Sequence, residues 1–364
     1  MLEPLLRLQR RPYPSGTMRI AAPLIAVAAM ALTGLVAFAL LGKNPLTALY
    51  AYFVEPLASV YGVGELLLKA TPLMLCAVGT ALGFRSNVWN IGAEGQFTIG
   101  ALAGGGVALF LGGALGKLAL AAMLLAGALG GMAWAAIPAL LRTRFNTSEI
   151  LVSLMLVYIA QSLLSWLVHG PWRDPAGFGF PQSAVFDDSL LLPVLWPGTR
   201  VTVALPLALA FAGLSWLFCA RSFAGYQMEV AGLAPQAAAY AGFGAGRNIW
   251  LALLASGALA GLAGLAEVAG PIGRLQPTIS PGYGYAAIIV AFIGRLHPLG
   301  IVFASLLLSL LYLGGESVQV QLGLPSAISG LFQGTLLFYL LAAELFIHFR
   351  LRLVPRPAGR EARP

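Results

Sequence analysis

The sequence predicts an all-α, polytopic membrane protein of about ten transmembrane helices, organised as inverted five-helix repeats with broken helices. Three observations carry that reading. Of 364 residues, 59% are hydrophobic and only 9% charged, against roughly 25% charged in a soluble domain. Uncharged apolar stretches long enough to cross a bilayer recur along the chain. The 21 Lys and Arg residues are sorted between alternate loops rather than scattered. A mean hydropathy of +0.86 also excludes a disordered chain, which needs low hydrophobicity and high charge.

A hydrocarbon core takes about 20 mostly apolar helical residues per crossing. Cutting the chain at each charge leaves ten windows: 20–42, 70–84, 96–116, 118–141, 150–168, 201–220, 248–266, 275–294, 298–315 and 317–343. The second has only 15 residues, between Lys69 and Arg85, and the eighth is interrupted by Pro277, Pro281, Gly282 and Gly284, so nine to eleven crossings are expected. The first window follows Arg7, Arg10, Arg11 and Arg19 and contains Ala37-Phe38-Ala39, the small-x-small form of a cleavage site. Its 23 uncharged residues exceed the roughly 7–15 of a signal h-region, which predicts an uncleaved anchor. The expected organisation is a cytoplasmic tail at 1–19, a membrane domain at 20–347 and a second cytoplasmic tail at 348–364.

Ten crossings with the N-terminus inside put the four N-terminal arginines, Arg85, Arg142, Arg144, Arg221, Arg247, Arg295 and five C-terminal arginines on one side, 15 of the 21. Lys43, Lys69, Lys117, Arg173, Arg200 and Arg274 fall on the other. The positive-inside bias therefore places both termini in the cytoplasm and makes the net charge of +8 a topology signal, not one for nucleic acid. The longest outer loop, 169–200, carries Trp172, Asp174, Asp187 and Asp188 among prolines and is expected to form a small external helix or a docking surface.

Five crossings per half reverse the orientation of the second half, as inverted repeats require. The junction of windows two and three, 85–96, then faces inward, and that of windows seven and eight, 270–285, faces outward. Interrupted segments at matching positions point to a translocation path, because broken helices expose backbone only where protein or water satisfies it. Gly127, Gly130 and Gly131, and the small-residue run 256–264, mark faces where helices approach closely.

Catalytic and metal signals are missing. Cys76 and Cys219 lie in apolar runs, and His169, His297 and His348 are far apart in sequence. The string Gly112-Gly-Ala-Leu-Gly-Lys117 has the wrong spacing for a phosphate-binding loop, so ATP binding through that motif is excluded. Acids within apolar stretches are chiefly Glu267 and Glu344, near window ends, an argument against a proton- or sodium-driven carrier.

The candidate path residues are Asn87, Trp89, Asn90, Glu94, Gln96, Glu149, Tyr283 and Tyr285. For the inner junction two readings stand: a capped turn with Asn90 as cap and Glu94 in the first helical turn, or a permeation path or gate. Asn146-Thr-Ser-Glu149 reads as an Asn form of the capping box. Tyr283 and Tyr285, flanking Gly284, suit either an interfacial aromatic belt or stacking on a ring-bearing solute. The loop 221–242 is rich in small residues, with a short helix expected after Pro235, and suits insertion into a groove of another protein.

At these residues the chain resembles a permease subunit of bacterial ATP-binding-cassette importers, in the ribose/simple-sugar branch and its nucleoside-type subgroup. The resemblance rests on Phe84-Arg-Ser-Asn-Val-Trp-Asn-Ile-Gly-Ala-Glu-Gly-Gln96, on 146–156 with Tyr158, on Gly232-Leu-Ala-Pro-Gln-Ala-Ala-Ala-Tyr-Ala-Gly242 and on 282–291. It implies a non-catalytic chain in the inner membrane that binds no cofactor itself. It further implies two separate cytoplasmic ATPases that bind ATP and Mg, a second permease subunit forming a homo- or heterodimer, and an extracytoplasmic solute-binding protein. Glu229, Gly232, Pro235, Ala237, Ala238, Tyr240 and Gly242 then form the loop coupling the ATPase to the membrane helices. The chain departs from relatives at Glu229, Ala234 and Val157. The expected cargo is a nucleoside or similar small polar solute; the alternatives are a simple sugar on the same architecture, or a self-sufficient carrier or channel.

Overall fold

A computed structural model describes residues 5–354 apart from Pro14. In chain order the helices are α1 (Gly16–Leu40), α2 (Pro45–Phe53), α3 (Val60–Arg85), α4 (Ala93–Leu115), α5 (Ala119–Phe145), α6 (Glu149–His169), α7 (Ala204–Arg221), α8 (Phe223–Leu233), α9 (Pro235–Tyr240), α10 (Ala245–Glu267), α11 (Tyr283–Ile293), α12 (Pro298–Leu322) and α13 (Ala327–His348). Among the described residues nine helices are long and apolar enough to cross a membrane, and α11 is a shorter apolar helix.

Each window corresponds to a helix, but the limits move wherever a charge lies inside one. The second window is the C-terminal part of α3, a helix of 26 residues that contains Glu65 and Lys69. Glu65 is tolerated there because Arg200 reaches it from the loop before α7, donating Nε–H (2.8 Å) and Nη2–H (2.5 Å) to the carboxylate. That carboxylate in turn holds the Arg200 guanidinium above its ordinary pKa. The eighth window is not a full crossing. Its helix, α11, has 11 residues, about 16 Å at 1.5 Å per residue, and an irregular segment over 273–282 precedes it. Helix α12 runs through Glu316, so the ninth window extends to Leu322. Interior acids are therefore not chiefly Glu267 and Glu344: Glu65 and Glu94 are 5% and 2% exposed inside helices. The Glu344 side chain, and residues 1–4 and 355–364 of the tails, lie outside the described residues.

The chain divides into two compact units. The larger, Phe53–Leu313, is built around α3, α4, α5 and α10. Helix α3 is buried along most of its length, as an all-round apolar helix must be. The glycine-rich faces meet as their spacing predicts: a Cβ at Gly131 would strike Gly257 and Gly261, and one at Gly100 would strike Gly261. At one end of this unit Arg85 Nε donates to the Leu296 carbonyl (3.0 Å) and Trp250 Nε1 donates to Thr143 Oγ1 (3.3 Å). Arg85, Arg142, Arg144, Arg221 and Arg247 lie in the terminal turns of α3, α5, α7 and α10, which defines a basic end. Toward the other end, the loop between α6 and α7 bonds to the chain after α10: Ser183 N to Leu275 O (2.9 Å), Phe186 N to Gly273 O (2.8 Å) and Leu192 N to Ala269 O (2.8 Å). The external helix expected there is a single 3-10 turn, Asp188–Leu190.

The smaller unit comprises Met1–Tyr52 and Gly314–Pro364. Helices α1 and α13 pack together, and Phe38 of α1, Tyr52 of α2 and Phe332 of α13 form an aromatic cluster with Tyr52 and Phe332 stacked at 4.3 Å. Gly34 lies beneath Phe332, where a side chain would not fit. Thr33 Oγ1 and Tyr339 Oη are hydrogen-bonded at 2.7 Å. The flanking tails carry a short antiparallel ribbon, β1 (Leu5–Arg10) with β2 (Phe349–Val354), which pairs Leu5 with Val354 and Arg10 with Phe349.

Candidate functional site

The segment 86–92 leaves α3 at the basic end and re-enters the helical bundle. Asn87 takes φ +55°, a left-handed conformation that Asn tolerates, and Val88 N closes the turn on the Gly83 carbonyl (3.0 Å). Trp89 packs at a tilt against Phe84 (4.8 Å) and Phe292 (6.0 Å), and its indole N–H donates to Asn87 Oδ1 (3.1 Å). Its backbone N–H donates to Glu149 Oε1 (3.2 Å), and the same oxygen is ion-paired with Arg142. Glu149 thus ties the re-entrant segment to the ends of α5 and α6. This replaces the expected capping box. Asn146 is the left-handed C-cap of α5, Ser148 is the N-cap residue of α6, and Glu149 turns to Arg142 because a guanidinium offers a stronger partner than a backbone amide.

Asn90, Gln96 and Ser256 form a closed polar knot. Asn90 Nδ2 donates to Gln96 Oε1 and to Ser256 Oγ, both at 2.8 Å, while Asn90 Oδ1 accepts from Gln96 Nε2 and Gly92 N, both at 3.1 Å. Both donors and both acceptor sites of Asn90 are filled by protein, and Asn90 and Gln96 are buried. Asn90 therefore makes a local turn to Gly92 and a bridge to α10, with Gly92 as the N-cap residue of α4.

Glu94 joins the two broken regions. From the first turn of α4 its carboxylate accepts from Gly284 N (2.7 Å), the second residue of α11, and from the Ser280 side chain. Ser280 Oγ itself accepts from Gly282 N (3.0 Å) and Tyr283 N (2.9 Å). A carboxylate at a helix N-terminus satisfies free N–H groups and complements the dipole. Here the carboxylate comes from another helix. Only glycine fits at 284, since a Cβ would meet the backbone of Ala93 and Glu94. Tyr283 is buried between Phe97 (6.2 Å) and Tyr312 (5.5 Å), so it is a packing residue; Tyr285 is half-buried.

The loop between α7 and α10 folds as two short helices. Ser222 caps α8 through Gly225 N (2.9 Å), and Pro235 opens α9, where its missing N–H costs nothing. Gly232 has no room for a Cβ because α8 rests on the Arg85 carbonyl, at the end of α3. Gly242 ends α9 at φ +77°. Ala238 is buried, whereas Glu229, Ala237 and Tyr240 are exposed, Tyr240 at 97%. A cleft beside the loop is lined by Ser86, Asn87, Arg142, Pro235, Ala238 and Asn248, so loop and re-entrant segment share one wall. The sequence reading does not place Arg85, Arg142, Ser256 or Ser280 in the site: it treats the two arginines as topology signals and Ser256 as part of a small-residue face. Among the described residues no three His, Cys, Asp or Glu side chains are placed to hold a metal ion.

Comparison with known proteins gives the family. Residues 62–341 match the family described as the permease component of branched-chain amino acid transport systems. The glucose ABC transporter permease protein TsgB13 of Haloferax volcanii is 34% identical, over 93% of this chain and 92% of its own. The guanosine permease NupP of Bacillus subtilis is 29% identical over 84% of this chain and 88% of its own, and the nucleoside permease NupB of Lactococcus lactis 26% over 89% and 91%. No solved structure matches the chain. With a family match over 62–341 and a relative 34% identical along nearly its whole length, the chain belongs to this family of ABC transporter permeases.

Proposed function

We propose that this permease subunit serves an ATP-driven importer of nucleosides or a similar small polar solute, with its basic end and both termini in the cytoplasm. The observation that carries the mechanism is the seat of Gly232 on the Arg85 carbonyl. Closure of the cytoplasmic ATPases, which bind ATP and Mg, presses on α8 and α9 through exposed Leu233 and Tyr240. The push passes to the end of α3 and through Trp89 and Glu149 to the re-entrant segment. Glu94 carries it to α11, so both broken regions move together and the membrane domain exchanges inward- and outward-open states. A solute-binding protein delivers cargo at the opposite face, and a second permease subunit completes the membrane part.

A simple sugar is the second reading, favoured by the 34% identity to a glucose permease. Reconstitution with the cognate ATPase and binding protein separates the two: labelled guanosine and glucose are offered in turn, with and without ATP. ATP-dependent accumulation of one of them is expected; accumulation without nucleotide would replace the reading by a self-sufficient carrier. In the same system Gly232→Val should leave ATP hydrolysis running while uptake falls at least about tenfold, since the branched side chain lifts α8 off α3. Uptake at the wild-type ratio to hydrolysis would remove the loop from the coupling path.

A further inference from the structure

Helix α6 has three kinds of surface. Glu149, Ser153, Val157, Ala160, Leu164 and Val168 recur three to four residues apart and are buried. Met155, Ile159 and Trp166 are exposed and apolar, as a lipid-facing surface requires. The remaining sector differs. Tyr158, Gln161, Ser162, Ser165 and His169 also follow three- and four-residue steps, so they share an arc of about 100° and a length of about 16 Å. Tyr158, Gln161, Ser162 and His169 are exposed and Ser165 is half-exposed, in a span whose mean hydropathy is 2.0.

Hydroxyl and amide groups turned to hydrocarbon forfeit their hydrogen bonds, a cost of several kcal/mol for an unpaired group. The same helix avoids that cost on its Met155, Ile159 and Trp166 side, so the polar row marks contact with something other than lipid. Two further observations identify it. Val157, next to Tyr158 at the lower end of the row, packs against Gly95, the neighbour of the Glu94 that caps the half-length helix α11. The row also stops there: toward the basic end the same arc continues with Ile150, Leu151 and Leu154. The polar half of α6 thus ends at the level where the chain is broken, and broken helices border water-filled paths.

We infer that Tyr158, Gln161, Ser162, Ser165 and His169 form one wall of the aqueous route by which solute reaches the broken helices, closed toward the cytoplasm by Ile150, Leu151 and Leu154. The wall suits an uncharged, hydroxyl-bearing ring compound. Hydroxyls and an amide exchange hydrogen bonds with solute hydroxyls one for one, Tyr158 offers a ring face, and the row contains no carboxylate or guanidinium to retain the cargo. His169 Nδ1 lies 2.8 Å from the Ser165 carbonyl, which can only accept, so the neutral ring presents Nε2 as an acceptor. The passage of solute along this wall rests on the importer reading; its contact with water does not.

The test uses the assembled transporter in proteoliposomes, with Cys76 and Cys219 replaced by Ala and single cysteines introduced by Ser162→Cys, Ser165→Cys, Ile159→Cys or Leu163→Cys. A charged, membrane-impermeant methanethiosulfonate reacts with thiolate, which forms only in water, so positions 162 and 165 should react at least about tenfold faster than 159 and 163. Equal rates overturn the inference, as does failure of 162 and 165 to react because the second permease subunit covers them, an arrangement that spontaneous disulfides between permeases would reveal. Tyr158→Ala and Gln161→Ala should raise KM for uptake several-fold; an unchanged KM in both overturns the wall as a solute contact. Absence of ATP-dependent uptake in the wild type would defeat the importer reading while leaving the labelling pattern to decide this one.

Discussion

The two broken regions are held by opposite means. At 86–92 the chain is fixed by side chains: the Asn90, Gln96 and Ser256 knot, the Trp89 contacts with Phe84 and Phe292, and the Glu149 bridge to Arg142. At 269–275 it is fixed mainly by main-chain bonds to the loop before α7, through Ser183, Phe186 and Leu192. Side-chain networks depend on individual residues and can be rearranged by a local push. Main-chain ladders do not, because every residue supplies the same groups. On this contrast the region next to the coupling loop is expected to be the adjustable one and 269–275 the stiffer support, while 280–284 rests on the Ser280 and Glu94 side chains. Glu94 links the two through Gly284, beside the ring contact of Trp89 with Phe292 on α11.

That contrast orders the expected effects of substitution. The largest belongs to Gly284→Ala, which forces a methyl into the backbone of Ala93 and Glu94; it should lower stability by about 1–3 kcal/mol or more and abolish uptake, read by thermal unfolding of the purified chain and by transport. Next is Asn90→Ala. It strands the Gln96 amide and should cost about 1–3 kcal/mol, whereas Asn90→Ala combined with Gln96→Leu should recover part of that loss. A double variant no more stable than the single one would mean the knot is not a closed unit. Glu149→Gln comes third: it keeps an acceptor for Trp89 N–H but loses the Arg142 ion pair, so the ratio of solute moved to ATP hydrolysed should fall while the fold persists. The smallest effect is expected of Ser183→Ala. It removes the bond from Leu275 N to Ser183 Oγ (2.9 Å) but leaves Ser183 N on Leu275 O, a loss of about 1 kcal/mol with near-normal uptake. If Ser183→Ala proved as damaging as Asn90→Ala, the division into adjustable and stiff regions would be wrong.

Much of this was legible one residue at a time. Gly131, Gly257 and Gly261 announced a close helix crossing, and the crossing is there, because a missing side chain has one structural use in an apolar helix. Pro235 and Gly242 bracketed α9 for equally local reasons. Charges misled where their partners were remote. Lys69 reads as the edge of a span and Glu65 beyond it draws no notice, because its partner Arg200 lies 135 positions away. Glu149 read as a cap since its neighbours Asn146 and Ser148 fit that motif, while Arg142 was counted only as a topology signal. The polar row on α6 was present as a pattern, but without burial it could not be told from an interior helix face.

By itself the sequence determined the membrane class, the sorting of positive charge, the places where helices break and the small-residue faces, since each follows from composition and short-range spacing in a hydrocarbon solvent. Only the tertiary structure decided which polar atoms meet: that Asn90 closes on Gln96 and Ser256, that Glu94 caps α11, and that Gly232 rests on α3. A hydrogen bond requires two groups within about 3 Å, and when those groups are 166 or 190 residues apart along the chain, nothing short of the folded bundle brings them together.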